Sequence, residues 1–155
     1  MRIRNVANKF LYPHRMPAVI VDIHEDNELM KTFLEVAKKR DFFIYSLEES
    51  KILKKYNPET PYDGCIINNR YRYRNANKIS EFLNIPIFLL QKDELPDKKE
   101  HGYLMNKQQH FDASFFLSEK TAKSWYSVPT EIVNFYDSDE LNRIIDIVKQ
   151  QKYSR

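Results

Sequence analysis

Residues 18–23 read AVIVDI, and apolar residues at helical spacing follow between residues 29 and 37. An almost unbroken run of β-branched residues is typical of a strand that is buried on both faces of a parallel sheet. Acidic and amide side chains come next, with Asp26 or Asn27 in position to cap the helix. The two stretches are therefore predicted to be the first strand and the first helix of an α/β unit.

The same alternation recurs along the chain. Further runs rich in β-branched and aromatic residues are Phe42–Tyr45, Gly64–Ile67, Ile85–Leu90, Ala113–Leu117 and Glu131–Phe135. Helical patterns stand between them: one begins at a capping box of Ser46 and Glu49, one carries Ile79, Phe82 and Leu83, and the last covers residues 138–152. The alternation predicts an α/β fold, a three-layer αβα domain of the Rossmann-like or flavodoxin-like class with a mostly parallel sheet of five or six strands.

Length and composition set further bounds. The chain has 155 residues, a net charge of +3 and one cysteine, Cys65, which fits a single domain over residues 1–155 with a basic arm at residues 1–16. The arm contains no apolar run that suits a signal peptide or a membrane span. A lone cysteine in a predicted strand indicates a buried thiol in a reducing compartment. We therefore expect a cytoplasmic protein, and the richness in Lys, Asn, Tyr and Phe with little Gly suggests an AT-rich genome such as that of a virus.

The residue types also exclude several chemistries. The chain has two glycines, whereas dinucleotide-binding turns and P-loops need several of them close together. The four histidines are scattered, and the densest group of acidic side chains, residues 22–26, is more typical of a helix start than of a metal site. We therefore predict neither a metal site nor a resident cofactor.

The strongest candidate for a binding surface is the run NNRYRYRN at residues 68–75, directly after the third predicted strand. Ligands of parallel sheets bind at the carboxyl ends of the strands. Arg70, Arg72 and Arg74 offer phosphate donors, and the tyrosines between them offer stacking surfaces, which suits single-stranded nucleic acid or a sugar phosphate. The alternative is a solvated loop, or an edge strand with tyrosines packed inward and arginines outward.

A second stretch of interest extends from Gln91 to Leu104. It is strongly charged and has no apolar period, so it is predicted to be a long loop. Long loops in compact domains are usually functional or mobile.

Residues 78–140 resemble the N-terminal half of GT-B glycosyltransferases, enzymes built from two Rossmann-like domains. The matching pieces, in chain order, are NIPIF at residues 84–88, HFDASFFLSEK at 110–120 and VPTEIVNFYD at 128–137. They are similar to the family's x-I-P-[VI] strand, to its Ala-Asp pattern before a serine that opens a helix, and to its linker strand.

The resemblance implies a domain that binds an acceptor through the loops at His24–Asn27, Asn68–Asn75 and Gln91–Asp93. It assigns Asp93 as general base, and it places Ser118 and Glu119 at a helix start that faces an interdomain cleft. The residues expected to contact ligand are His24, Glu25, Asn68, Asn69, Arg70, Arg72, Arg74, Gln91, Ser118 and Glu119. In that family a second Rossmann-like domain holds the nucleotide-sugar donor. We therefore expect this chain to bind an acceptor or a partner, and to transfer sugar only when a second domain or chain completes the cleft.

Two alternatives stay open. The first is a non-catalytic protein that binds nucleic acid through Arg70, Arg72 and Arg74 and through its basic arm. The second follows from VDIHED at residues 21–26, which resembles the acidic first-strand end of response-regulator receiver domains, with Lys120 similar to their lysine. Because Asn68 or Asn69 stands where those domains carry the phosphorylated aspartate, this likeness implies a pseudo-receiver that acts through protein contacts.

Overall fold

The computed structural model describes residues 18–40, 43–46, 62–96 and 99–153. These residues form a six-stranded parallel sheet with the order β2-β1-β3-β4-β5-β6. Its strands are β1 (Ala18–Asp22), β2 (Phe43–Ser46), β3 (Gly64–Ile67), β4 (Ile87–Gln91), β5 (Ala113–Phe116) and β6 (Glu131–Ile132). The helices are α1 (Asn27–Arg40), α2 (Tyr73–Leu83), α3 (Lys99–Gln108), α4 (Glu119–Ser124) and α5 (Ser138–Tyr153), and a 3-10 turn at Arg70–Arg72 precedes α2. The predicted α/β class and mostly parallel sheet are confirmed.

Strand β1 is the pivot of the sheet. It pairs with β2 on one side and with β3 on the other, and all these pairings are parallel. The chain therefore steps in one direction from β1 to β2 and in the opposite direction from β3 to β6. Such a reversal opens a crevice above the carboxyl ends of the two central strands, where Asp22 of β1 lies in register with Ile67 of β3.

Successive side chains along a strand point to opposite faces of the sheet, so they pack into separate cores on its two sides. On one face Val19, Ile66 and Phe88 pack with residues of α1 and α5. On the other face Ile20 and Cys65 pack with residues of α2, and Phe116 of β5 packs with Trp125 next to α4. Burial on both faces explains why β1, β3 and β4 read as continuous apolar runs rather than as alternating ones.

Side-chain caps fix where the helices begin. The Leu29 N–H donates to Asp26 Oδ1 over 3.0 Å at the start of α1, and the Glu140 N–H donates to Asp137 Oδ2 over 3.1 Å at the start of α5. The predicted caps at both positions are confirmed, since each carboxylate satisfies an N–H that has no partner within the helix.

Two sequence-based expectations about elements are wrong. The charged stretch after Gln91 is not a loop throughout, because α3 begins at Lys99. This helix has no apolar period because its inward side consists of the buried Gly102 and the half-buried Met105, whereas Tyr103 and Leu104 are exposed. Strand β6 is also shorter than predicted, because the chain leaves the sheet after Ile132 and buries Val133 and Phe135 in the core beneath α5.

The basic arm at residues 1–16 lies outside the described residues, as does the predicted helix after Ser46, which falls within residues 47–61. Within the described part of the chain, no helix combines the length and the apolar character that crossing a membrane requires.

Gly64 offers a test of the packing between the sheet and α5. A Cβ at this position would lie 2.7 Å from Phe88 Cε2 and 2.8 Å from Val148 Cγ1, and both side chains belong to the core. We expect Gly64→Ala to lower the free energy of unfolding by about 1–3 kcal/mol through overpacking. Gly102→Ala is the matched control, because its closest neighbour is the terminal methyl group of Leu95, which can rotate away. Urea denaturation that found Gly102→Ala the more damaging change would contradict this account of the core.

Candidate functional site

A cavity of about 470 Å³ opens in the crevice at the carboxyl edge of the sheet. It is lined by the turn after β1 (His24–Asp26), the turn after β3 (Asn68–Tyr71), residues of the segment 91–96 at the end of β4, and Trp125 at the end of α4. This is the edge where ligands of open parallel sheets bind. The volume falls within the range of about 300–1,000 Å³ that is usual for small-molecule sites.

Asn68 joins the turns after β1 and β3. Its Oδ1 accepts a hydrogen bond of 2.8 Å from the His24 N–H, and its Nδ2 donates to the His24 carbonyl over 3.1 Å. The next residue, Glu25, has a φ of 50°, a left-handed conformation that is strained for a side chain of this type. The amide of Asn68 therefore holds a strained turn that places His24 and Glu25 on the wall of the cavity.

Arg72 is committed to an ion pair beneath this turn. Its Nε and Nη2 donate to the two carboxylate oxygens of Asp22 over 2.7 and 3.0 Å, and its Nη1 lies 3.4 Å from His24 Nδ1. Asp22 is nearly buried, and a bidentate guanidinium is a strong partner for such a group. Arg72 is therefore part of the scaffold of the site rather than of its lining.

Asp26 is also committed to structure. One of its oxygens caps α1, and the other accepts a hydrogen bond from the Tyr136 hydroxyl. Burial, followed by the neighbouring Asp26 carboxylate, raises the pKa of Tyr136 well above its ordinary value. Tyr136 thus remains protonated and donates to Asp26 throughout the physiological range, which ties the segment after β6 to the wall of the cavity.

The segment after β4 folds back onto the end of α4. The Asp93 carbonyl accepts hydrogen bonds from Gln91 Nε2 over 3.0 Å and from the Trp125 indole N–H over 2.9 Å. The Leu95 N–H donates to Ser124 Oγ over 3.0 Å. These bonds leave the Asp93 carboxylate exposed at the mouth of the cavity, while Gln91 Oε1 is buried and makes no hydrogen bond with any residue that the structure describes.

Arg70 is the least expected residue of the site. It is only 1% exposed, and none of its three guanidinium nitrogens makes a hydrogen bond within the described part of the chain. The guanidinium carbon lies 4.9 Å from the centroid of the Trp125 ring and 5.7 Å from that of Phe111. Burial lowers the pKa of Arg70 to about 10, because removal from water disfavours the charged form.

Comparison of the chain with models of protein families, with curated proteins and with solved structures found no match. The chemistry of the site must therefore be inferred from its own residues.

The structure brings six of the predicted site residues to the cavity together with Arg70: His24, Glu25, Asn68, Asn69, Gln91 and Asp93. Arg74 is exposed on α2. Ser118 caps α4 by accepting the Thr121 N–H over 3.2 Å, and neither Ser118 nor the exposed Glu119 lines the cavity. Their assignment to a cleft with a second domain stays a prediction.

The Arg-Tyr run is neither a solvated loop nor an edge strand with its arginines outward. It forms the 3-10 turn and the first turn of α2, in which Arg70 is buried and Tyr71 is exposed. Sequence reasoning also missed the contribution of Trp125, Glu94 and Pro96 to the lining. The signal that could have found Trp125 is its position after a short helix that follows β5, at the same sheet edge.

Cys65 is remote from this chemistry. It lies in the middle of β3, fully buried, and burial raises the pKa of its thiol to about 12. The expected buried thiol is confirmed. Among the residues described, no three or more His, Cys, Asp or Glu side chains are grouped so that they could hold a metal ion.

The buried thiol leads to a prediction about alkylation and pH. We expect iodoacetamide to modify Cys65 in the native protein only as fast as the domain opens, because a buried thiol with a pKa of about 12 supplies almost no thiolate. The unfolded thiol ionises from about pH 9 and the folded one only near pH 12, so stability should fall as the pH rises through that window. Mass spectrometry of the alkylated protein, with a urea-unfolded control, tests this. Rapid native labelling at pH 8 would contradict it.

The Asn68 bridge can be tested by truncation. We expect Asn68→Ala to lower the free energy of unfolding by about 1–3 kcal/mol, because two backbone groups of His24 lose their partners in a partly buried turn. Asn75→Ala, at an exposed position of α2, is the control and should change stability by less than about 0.5 kcal/mol. Equal thermal denaturation curves for the two variants would argue against the bridge.

Proposed function

We propose that the chain is the acceptor-binding domain of a glycosyltransferase-like protein and holds a small hydroxylated ligand in the cavity above β1, β3 and β4. The observation that carries this proposal is the coincidence of place. The turns that line the cavity, His24–Asp26, Asn68–Tyr71 and the segment that begins at Gln91, belong to the same three loops that the GT-B resemblance assigns to the acceptor.

The chemistry of the lining supports a hydroxylated ligand. The carboxylates of Asp93 and Glu94 and the imidazole of His24 can each accept a hydrogen bond from a hydroxyl group. Trp125, which is 3% exposed, lines the cavity beside them. Small-molecule sites commonly combine one apolar wall with a few polar groups that fix orientation.

Under this proposal Asp93 acts as the general base. Its carboxylate takes the proton of the acceptor hydroxyl while the acceptor oxygen forms a bond to the anomeric carbon of the donor, and the nucleoside diphosphate leaves with the electrons of the broken bond. A second Rossmann-like domain or chain supplies the donor site. The backbone of Asp93 is held by Gln91 and Trp125, which positions the carboxylate at the mouth of the cavity without engaging it.

The two alternatives draw less support from the geometry. Of the three arginines offered to nucleic acid, Arg70 is buried, Arg72 is paired with Asp22, and Arg74 alone is exposed. A backbone-tracking groove for single-stranded nucleic acid requires several solvent-facing cations. For a pseudo-receiver, the amide of Asn68 is already engaged on both sides by the His24 backbone, so its role in the turn accounts for its presence.

The test is to map small-molecule binding on the isotope-labelled protein by NMR, with methyl glucoside, methyl galactoside, glucuronate and UDP-glucose as probes. We expect amide shifts to cluster in residues 24–26, 68–71 and 91–96, and Asp93→Asn to weaken acceptor binding severalfold by removing a charged acceptor of hydrogen bonds. Asp139→Asn, at an exposed position of α5, is the matched control. Shifts confined to other surfaces, or binding of a DNA oligomer alone, would refute the proposal.

A further inference from the structure

The floor of the cavity, formed by Arg70 and Gln91, contains a guanidinium cation that makes no hydrogen bond with any described residue. Buried arginines are ordinarily paired, since a charge removed from water without a partner is strongly destabilising. Arg70 is 1% exposed, it lines the cavity, and its Nε, Nη1 and Nη2 all lack hydrogen-bond partners in the described part of the chain. Arg72, two residues away, is paired in the usual way, because it donates two hydrogen bonds to the Asp22 carboxylate.

The surrounding structure holds Arg70 in place without neutralising it. Asn69 caps the 3-10 turn by accepting the Tyr71 N–H over 2.9 Å, and Gln109 Nε2 donates to the Arg70 carbonyl over 2.8 Å. The guanidinium group lies against the Trp125 and Phe111 rings at 4.9 and 5.7 Å. A planar donor fork that is fixed in advance loses little freedom when an anion binds to it.

A second buried group at the cavity also lacks a partner. Gln91 Oε1 makes no hydrogen bond among the residues described, although Gln91 Nε2 is held by the Asp93 carbonyl. This oxygen can only accept a hydrogen bond. Arg70 and Gln91 both line the cavity, and their donors and one acceptor lie just below its accessible surface, a set that suits a ligand carrying an anionic group and a hydroxyl group.

The charges of the remaining lining limit how negative that ligand can be. The other ionised side chains around the cavity are the carboxylates of Glu25, Asp26, Asp93 and Glu94 and the ammonium group of Lys92. These carboxylates repel negative charge on a ligand, so a ligand with a second negative charge is unfavourable here. A monoanionic carboxylate pairs with a guanidinium through two parallel bonds and adds the least negative charge.

We propose that Arg70 binds the carboxylate of a small hydroxylated acid, of which sugar acids are the simplest members. The inference rests on the proposed function, in which the cavity is the acceptor site, and it names the class of acceptor. The carboxylate occupies the floor against Arg70, one hydroxyl group donates to Gln91 Oε1, and the remaining hydroxyl groups face the rim carboxylates.

The test is calorimetric titration at neutral pH with three matched probes: glucuronate, its neutral isostere glucuronamide, and the dianion glucose 1-phosphate. We expect glucuronate to bind at least about tenfold more tightly than glucuronamide, the ratio expected for a charge-assisted hydrogen bond. Glucose 1-phosphate should bind more weakly than glucuronate. If it binds more tightly, the assignment of a carboxylate ligand is overturned.

Three variants separate a ligand-binding role of Arg70 from a structural one. Arg70→Lys keeps the charge but loses the fork and should retain only part of the preference for glucuronate, whereas Arg70→Met should abolish it. Without ligand, Arg70→Met should melt at the same temperature as the parent or higher, because replacing an uncompensated buried charge with an apolar side chain of similar size removes a desolvation penalty. Arg74→Met, at an exposed position in the first turn of α2, should change neither property.

Different results identify different failures. If glucuronate and glucuronamide bind equally well at the cavity, the inference about Arg70 fails and the proposed function stands. If no hydroxylated probe binds, both fail. Should Arg70→Met not fold, the Arg70 Nε–H resonance of the unaltered protein decides: a shift with glucuronate but not with glucuronamide supports the inference, and no shift overturns it.

Discussion

The candidate site depends on the bidentate pair between Asp22 and Arg72, with its bonds of 2.7 and 3.0 Å. Asp22 ends β1, and Arg72 belongs to the 3-10 turn that follows β3. With three residues per turn, side chains two positions apart in such a turn point about 120° apart. Holding Arg72 against β1 therefore turns Arg70 to a different side, beneath Trp125 and Phe111, and leaves Tyr71 in solvent.

Most polar groups around the cavity satisfy one another. Asp26 is shared between the start of α1 and Tyr136, Asn68 between the two backbone groups of His24, and the Asp93 carbonyl between Gln91 and Trp125. These bonds rigidify the turns at the carboxyl edge of the sheet. The guanidinium of Arg70 is the exception, because it makes no hydrogen bond among the described residues, while the carboxylates of Asp22 and Asp26 bind other groups. Preorganised groups of this kind are what a binding site requires.

The fold was predictable from the sequence because the central strands β1, β3 and β4 are buried on both faces. Continuous apolar runs such as Ala18–Val21 and Gly64–Ile67 identify parallel strands without knowledge of their partners. The buried thiol of Cys65 and the cap at Asp137 are local properties and followed from neighbouring residues alone. The edge of the sheet was also predictable as the place for a site, since it depends only on topology.

The individual roles of the arginines were not predictable in the same way. In the alternating run at residues 68–75 nothing local distinguishes Arg70 from Arg72 or Arg74. The choice depends on Asp22, which lies 50 residues earlier in the chain, and on a 3-10 turn that no periodicity marks. Helix α3 was missed for a related reason, since its inward face consists largely of Gly102 and Met105 and gives almost no apolar signal.

The placement of Trp125 also makes the protein its own optical reporter. The chain contains a single tryptophan, and that indole lies at the cavity, 4.9 Å from a guanidinium group. Indole emission responds to nearby charge and to contact with water. All fluorescence that is excited selectively from tryptophan therefore originates beside the site. A change in the occupancy of the cavity is therefore visible in the colour and intensity of the intrinsic fluorescence, without any label.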